Sequence, residues 1–210
     1  MESRRRFLGQ AAGAAAMAGL GERALGAGAE KKAEPITVAL IGCGGMGGGH
    51  LRLLAPRKDV RIAYLCEPDA GRLADSMKVI EKAGQKGAKA VKDMRTILDD
   101  KSVRAVWIAT PDHWHAPAAI LAADAGKHVY VEKPCCHNLR EGRLMIEAAR
   151  RNKVVMQVGT QSRSTPHVIQ AMKRLHEGAI GKVLVAKAWN SQRRGNIGHA
   201  KPSDPPKELD

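Results

Sequence analysis

Lys133 has the residue type and setting best suited to proton transfer: it follows the apolar run His128–Val131, within Glu132-Lys133-Pro134. A lysine at the C-terminal end of a buried strand is placed to hydrogen-bond a substrate hydroxyl. Partial burial would bring its pKa down toward the range useful for moving a proton. The proline that follows permits a cis peptide bond that would fix the lysine's direction. Upstream, Gly42-Cys43-Gly44-Gly45-Met46-Gly47 has the Gly-x-Gly-x-x-Gly spacing of a phosphate loop. Gly42 allows a tight turn, Gly44 lets backbone approach a pyrophosphate, and Gly47 lets the next helix pack closely on the strand. Gly45 and Met46 lie beside the opening of that helix, whose free N–H groups and positive dipole end would face the phosphates. Glu67, just after the run Val60–Cys66, is an acid placed to hold adenosine ribose hydroxyls. A carboxylate there would repel a 2′-phosphate, which favours NAD, while nearby Arg72 keeps NADP open.

Thr110-Pro111-Asp112-His113-Trp114-His115 forms a third group. Two histidines at i, i+2 invite a metal reading, but no Cys, Asp or Glu set with ligand spacing accompanies them. The segment reads better as a wall against the cofactor, in which Trp114 covers a ring and His115 donates to a phosphate or hydroxyl. The candidate cofactor residues are therefore Gly42, Gly44, Gly45, Met46, Gly47, Glu67, Thr110, Pro111, Trp114, His115, Glu132 and Lys133. Lys133 also faces the substrate, and no metal site is expected.

These residues must be held by strands and helices that alternate. Ile36–Ile41 is a continuous apolar run broken only by Thr37, as a strand buried on both faces should be. Similar runs follow at Val60–Cys66, Val103–Ala109, His128–Val131, Val154–Val158 and Val183–Trp189. Between them lie helical patterns: Leu73, Met77 and Ile80 share one face, as do Val168, Ile169, Met172 and Leu175. Another short helix is expected near Met94–Asp99. Pro117 suits the first turn of a helix ended by Gly126, and Asn138 with Glu141 reads as a capping box. Such alternation specifies an α/β fold with a Rossmann doubly wound parallel sheet. Ligands in such sheets sit beyond the C-terminal strand ends, so the loop at Gly42–Met46, Glu67, Thr110–His115, Glu132–Lys133 and Gly159–Gln161 should line one crevice.

The N-terminus carries a different signal. Arg4-Arg5-Arg6, a weakly apolar stretch from Gly9 to Leu20 and Ala27-Gly28-Ala29 follow the layout of a cleavable twin-arginine export signal over residues 1–29. That places the mature protein in the periplasm with no stable membrane anchor, because the apolar stretch is too short to span a bilayer. An exported dinucleotide protein should be loaded before it leaves, so the cofactor is expected to be tightly held. The formal charge is +14. The first 29 residues hold four arginines and two glutamates, so their removal leaves about +12. The basic residues are spread rather than clustered and only six aromatics are present, which argues against a nucleic-acid partner. The four cysteines, Cys43, Cys66, Cys135 and Cys136, read as structural thiols rather than a disulfide framework.

Taken together, the Ile41–Gly47 loop, Cys66-Glu67-Pro68-Asp69, Ala109–His115 and Val131-Glu132-Lys133-Pro134 resemble the Gfo/Idh/MocA oxidoreductases, with the twin-arginine branch the nearest in character. The resemblance covers nearly everything from Pro35 to Asn190. It implies an NAD-binding Rossmann domain over residues 30–160, followed over 161–210 by the incomplete start of an α+β open-sheet substrate domain. It further implies that Lys133 is the catalytic lysine and that Gln161 lies near nicotinamide and substrate. The reaction implied is hydride transfer between a sugar or cyclitol hydroxyl and NAD, by a homo-oligomer when full length. The Asp and His partners of the lysine would lie beyond Asp210, so this chain is expected to bind NAD weakly without turning over a sugar. One branch of the same fold works as an NAD-dependent glycosidase, but it tends to lack the lysine. A non-catalytic sugar-binding protein retaining NAD is the reading from another class, and Lys133 counts against it.

Overall fold

Apolar runs separated by amphipathic stretches build six strands that all pair parallel, in the order β3-β2-β1-β4-β5-β6. The computed structural model describes residues 34–189, 195, 198–199 and 201–209, so the export signal read in residues 1–29 lies outside the described residues. In chain order the elements are β1 (Ile36–Ile41), α1 (Gly45–Leu54), β2 (Val60–Cys66), α2 (Ala70–Lys82), β3 (Lys89–Val91) and α3 (Arg95–Asp99). They continue with β4 (Ala105–Ile108), α4 (Asp112–Asp124), β5 (His128–Glu132), α5 (Leu139–Arg151), β6 (Met156–Gly159) and α6 (Pro166–His176). A short 3₁₀ helix, Gln161–Ser164, joins the last two. This is the doubly wound Rossmann order, with its reversal point between β1 and β4.

Each face of the sheet carries its own core. Val38 and Leu40 of β1 turn toward Leu51 and Leu54 of α1 and Leu73 and Ile80 of α2. Ala39 and Ile41 turn the other way, toward a cluster that takes in Val106 and Ile108 of β4, Ala118, Ala119 and Ala122 of α4 and Met145 of α5. Period-two alternation in the strands and small alanines on α4 let the layers close. β2 breaks the alternation once: Val38 pairs with Ile62 but Ala39 with Tyr64, so one extra residue bulges out of the ladder. Ile62 and Leu65 therefore reach the same core although three positions separate them.

Helix ends follow local chemistry. The Asp69 carboxylate accepts the Arg72 N–H at 2.9 Å, and Asn138 Oδ1 accepts the Glu141 N–H at 3.0 Å. The Glu141 carboxylate returns a bond to the His137 N–H at 2.7 Å, one residue outside the expected box. Pro117 is a correction: α4 starts at Asp112, so the proline sits inside the helix rather than in its first turn. Its missing N–H leaves the carbonyl of His113, an exposed residue, without a helical donor. The expected strand Val183–Trp189 is a second correction. These residues form no ladder, and Val183, Leu184, Val185 and Trp189 are exposed, because no described strand edge lies alongside to supply hydrogen bonds. No residue of α6 is buried, so the apolar side read from its periodicity is uncovered.

Beneath the sheet, Asp100 ties β2 to the turn before β4. It accepts the Ser102 N–H at 2.8 Å and the Tyr64 hydroxyl at 2.8 Å. The bonds from Ser102 first, then Tyr64, hold its carboxyl at about 2 against an ordinary 3.8. The depressed folded value means the stabilisation is present above pH 3.8 and is lost as pH falls toward about 2. Asp100→Asn should therefore flatten the slope of stability against pH in that window, measured as urea midpoints. Identical slopes in both proteins would reject the assignment.

Candidate dinucleotide and catalytic site

At the reversal point β1 and β4 stay paired as far as Ile41 and Ile108, and the loops after them lead to α1 on one face and α4 on the other, whose N-termini border the opening between them. Gly42 makes the turn out of β1 with φ of +90°, a conformation that disfavours any side chain. A Cβ there would also lie 2.6 Å from the Ala109 carbonyl oxygen. At Gly47 a Cβ would collide with the Gly42 carbonyl oxygen itself, so helix and loop meet backbone to backbone. The Gly42 N–H is tied to the Cys66 carbonyl at 2.8 Å. Glu67, buried at 6% exposure, accepts the Cys43 N–H on Oε2 at 2.8 Å and the Asp69 N–H on Oε1 at 3.2 Å. The acid thus braces the glycine loop as well as facing the crevice.

Cys43 and Cys66 are buried free thiols. Burial first, then the Glu67 charge, pushes the Cys43 thiol up to about 12. Cys66 is likewise raised to about 12, chiefly by burial. Cys135 and Cys136 are part-exposed and unbridged, with sulfurs 3.9 Å apart.

A crevice of about 1220 Å³ runs across these strand ends. Gly42, Gly44, Gly45, Met46, Glu67, Thr110, Pro111, Trp114, His115, Glu132 and Lys133 all line it, as do Pro68, Arg72 and Met94. Thr110 Oγ1 and His115 Nε2 are buried there with no hydrogen-bond partner among the described residues. Buried polar atoms are rarely left so, and these two suit a ligand that brings its own donors and acceptors. His115 needs one correction. Its Nδ1 lies 2.6 Å from the Pro134 carbonyl oxygen, which can only accept, so Nδ1 carries the hydrogen. In the neutral ring Nε2 is then an acceptor, not the donor the sequence suggested. The open glycine cradle and the two orphaned polar atoms fit a dinucleotide.

Lys133 stands at the end of β5, on the crevice wall and across a cis bond from Pro134. It is exposed, so the expected partial burial is not provided by the described residues. Glu132 is buried at 3% exposure, and its carboxylate accepts from His50 Nε2 at 2.8 Å and from the Lys133 N–H at 3.2 Å. Gly159 of β6 leaves the room this needs, since a Cβ would sit 2.9 Å from Glu132 Oε1 and 2.5 Å from the Tyr130 hydroxyl. Gln161 is not among the crevice residues: the chain turns into the 3₁₀ helix after Thr160 and leaves it exposed. Two contributors carried no sequence signal. His50 lies just past the glycine motif as an isolated histidine. Leu209 lines the crevice edge because the proline-rich segment returns there, where Leu209 bridges Asp69 and the Ala70 N–H donates to the Glu208 carbonyl at 3.0 Å.

Comparison with known proteins agrees with this geometry. Residues 36–160 match the Gfo/Idh/MocA family, described as an oxidoreductase family with an NAD-binding Rossmann fold. Levoglucosan dehydrogenase of Pseudarthrobacter phenanthrenivorans is 36% identical over 162 residues, which cover 71% of this chain and 39% of that protein. The NAD(+)-dependent scyllo-inositol 2-dehydrogenase of Bacillus subtilis is 30% identical over 155 residues, 73% of this chain and 44% of that protein. Among solved structures, levoglucosan dehydrogenase in complex with NADH superposes with a TM-score of 0.63 at 34% identity, over 72% of this chain and 41% of that one. The chain thus spans about two-fifths of the length of the relatives it matches. On the strength of the matched domain, its strand order and its glycine loop, the chain belongs to the Gfo/Idh/MocA family of NAD-binding oxidoreductases.

Proposed function

We propose that this chain is the cofactor half of an NAD-dependent oxidoreductase acting on a hydroxyl of a sugar or cyclitol. The observation that carries the reading is that Lys133 and the glycine cradle open onto one crevice. Bound NAD supplies the hydride-accepting ring; the protein supplies place, direction and proton handling. The N-terminal turn of α1 receives the pyrophosphate on backbone N–H groups, and Glu67 accepts from ribose hydroxyls with the lone pairs its loop contacts leave free. Thr110 and His115 meet polar groups of the cofactor, and Trp114 covers its ring. The Lys133 ammonium donates to the substrate oxygen and, as a free amine, takes the hydroxyl proton. Substrate contacts, the remaining proton-transfer partners and homo-oligomer contacts belong to a following α+β domain. Gln161 stands at the start of that domain, and the family resemblance assigns it to the substrate side. The signal-like residues 1–29 support export by the twin-arginine route to the periplasm with the nucleotide already bound and tightly held.

The test is a calorimetric titration of the chain with NAD and NADP. NAD is expected to bind at least about tenfold tighter, because the Glu67 carboxylate repels a 2′-phosphate across a short distance. Tighter NADP binding would overturn the ribose assignment. Binding of neither nucleotide would overturn the function.

A further inference from the structure

We propose that Lys133 is aimed by a bracket of two histidines, the part-buried His50 and the buried His115, which act as positioning residues on either side of it. The inference rests on the catalytic reading of Lys133. On the N-terminal side, His50 Nε2 donates to Glu132 Oε1 at 2.8 Å, with side-chain exposures of 13% and 3%. The same carboxylate accepts the Lys133 N–H through Oε2 at 3.2 Å, so the acid is gripped at one oxygen and holds the lysine backbone with the other. The imidazole cannot swing freely. It stands edge-on to the Tyr130 ring at 5.4 Å and tilted to the Trp107 ring at 6.0 Å, and those rings stack on each other at 4.3 Å. On the C-terminal side, His115 is 2% exposed and its Nδ1–H donates to the Pro134 carbonyl at 2.6 Å.

The two residues flanking the lysine are therefore fixed to different helices. His50 belongs to α1 and His115 to α4, and both helices start at the crevice. A lysine has many rotamers, and proton transfer needs its amine held to a fraction of an ångström. Fixing the backbone at the Lys133 N–H and the Pro134 carbonyl narrows the arc the amine can sweep. Because α1 also carries the phosphate loop, the fold sets the lysine's direction and the pyrophosphate's seat from one rigid rod.

The experiment acetylates the chain with an N-hydroxysuccinimide ester and follows Lys133 by peptide mass spectrometry, with and without saturating NAD. In the wild type, NAD should slow the labelling of Lys133 by about fivefold or more, as expected for an amine seated against the ligand. In His50→Leu and in His115→Leu, protection at saturating NAD should fall below about twofold, because the amine is no longer directed. His50→Gln, whose amide nitrogen falls where Nε2 was, should restore it. His115→Asn, whose amide nitrogen replaces Nδ1, should do the same. For His50→Leu the NAD affinity should stay within about threefold of wild type, since the ring faces Glu132 rather than the ligand. Should the leucine variants unfold, His50→Asn carries the test, because its amide is too short to reach Glu132. Full protection in the folded disruptive variants would overturn the bracket and leave the catalytic reading standing. No protection in the wild type at saturating NAD would overturn the catalytic reading, and the bracket with it.

Discussion

Gly47→Ala is expected to remove NAD binding and to destabilise the fold in a single step. The added methyl would collide with the Gly42 carbonyl oxygen, which is backbone and cannot rotate away. Gly42 cannot retreat either, because its N–H is tied to the Cys66 carbonyl at 2.8 Å and its own Cβ position is blocked by Ala109. Helix α1 must then back off from the loop, at the overpacking cost of about 1–3 kcal/mol. The displacement is largest at the N–H groups that would face the pyrophosphate, so affinity should fall by about a hundredfold or more. Gly49→Ala is the control. It lies on the same helix with open space around its Cβ position, and should stabilise by about 0.5–1 kcal/mol through helix propensity alone. Thermal melts and NAD titration of both variants decide the matter. Wild-type affinity in Gly47→Ala would show that the loop does not cradle the nucleotide.

Lys133→Met should lower turnover by about 10²–10⁴-fold while NAD affinity stays within about threefold. The measurement is made on the protein joined to the substrate domain proposed above, with nicotinamide absorbance as the readout. Methionine keeps the length of the stem and loses only the donor. Lys133→Arg should not rescue, because a guanidinium does not give up its proton near neutrality and so cannot act as the base. Unchanged turnover in Lys133→Met would remove the catalytic role. Free sugar released from an aryl glycoside without net nucleotide reduction would instead favour transient oxidation by a glycosidase.

Much of this architecture was legible because burial writes itself into strands. Ile36–Ile41 and His128–Val131 read as parallel strands from their largely apolar runs, and the glycine loop took its meaning from the strand before it and the helix after it. The crevice followed from one rule, that ligands sit at carboxyl ends of parallel strands, and eleven of the thirteen candidate residues line it. Gly47 differs because its work lies under the loop, and Gln161 because a single 3₁₀ turn redirects the chain. Pro117 was misplaced because the start of α4 at Asp112 has no side-chain cap to announce it. His50 was invisible for another reason: its partner Glu132 is 82 positions away, and no local pattern records a tertiary hydrogen bond.

The extra residue in β2 sets a constraint on how this domain can drift. The bulge between the Ile62 and Tyr64 pairings fixes the parity of everything after it. It is why Leu65 points into one core and Glu67 can reach back to the Cys43 amide. Loss of one residue there would turn the acid away from the crevice while leaving the strand's apolar character intact. Insertions and deletions should therefore accumulate in the turns around Lys58 and Gly84 and be purged between Val60 and Glu67, a count that natural variation has to preserve even where identities change.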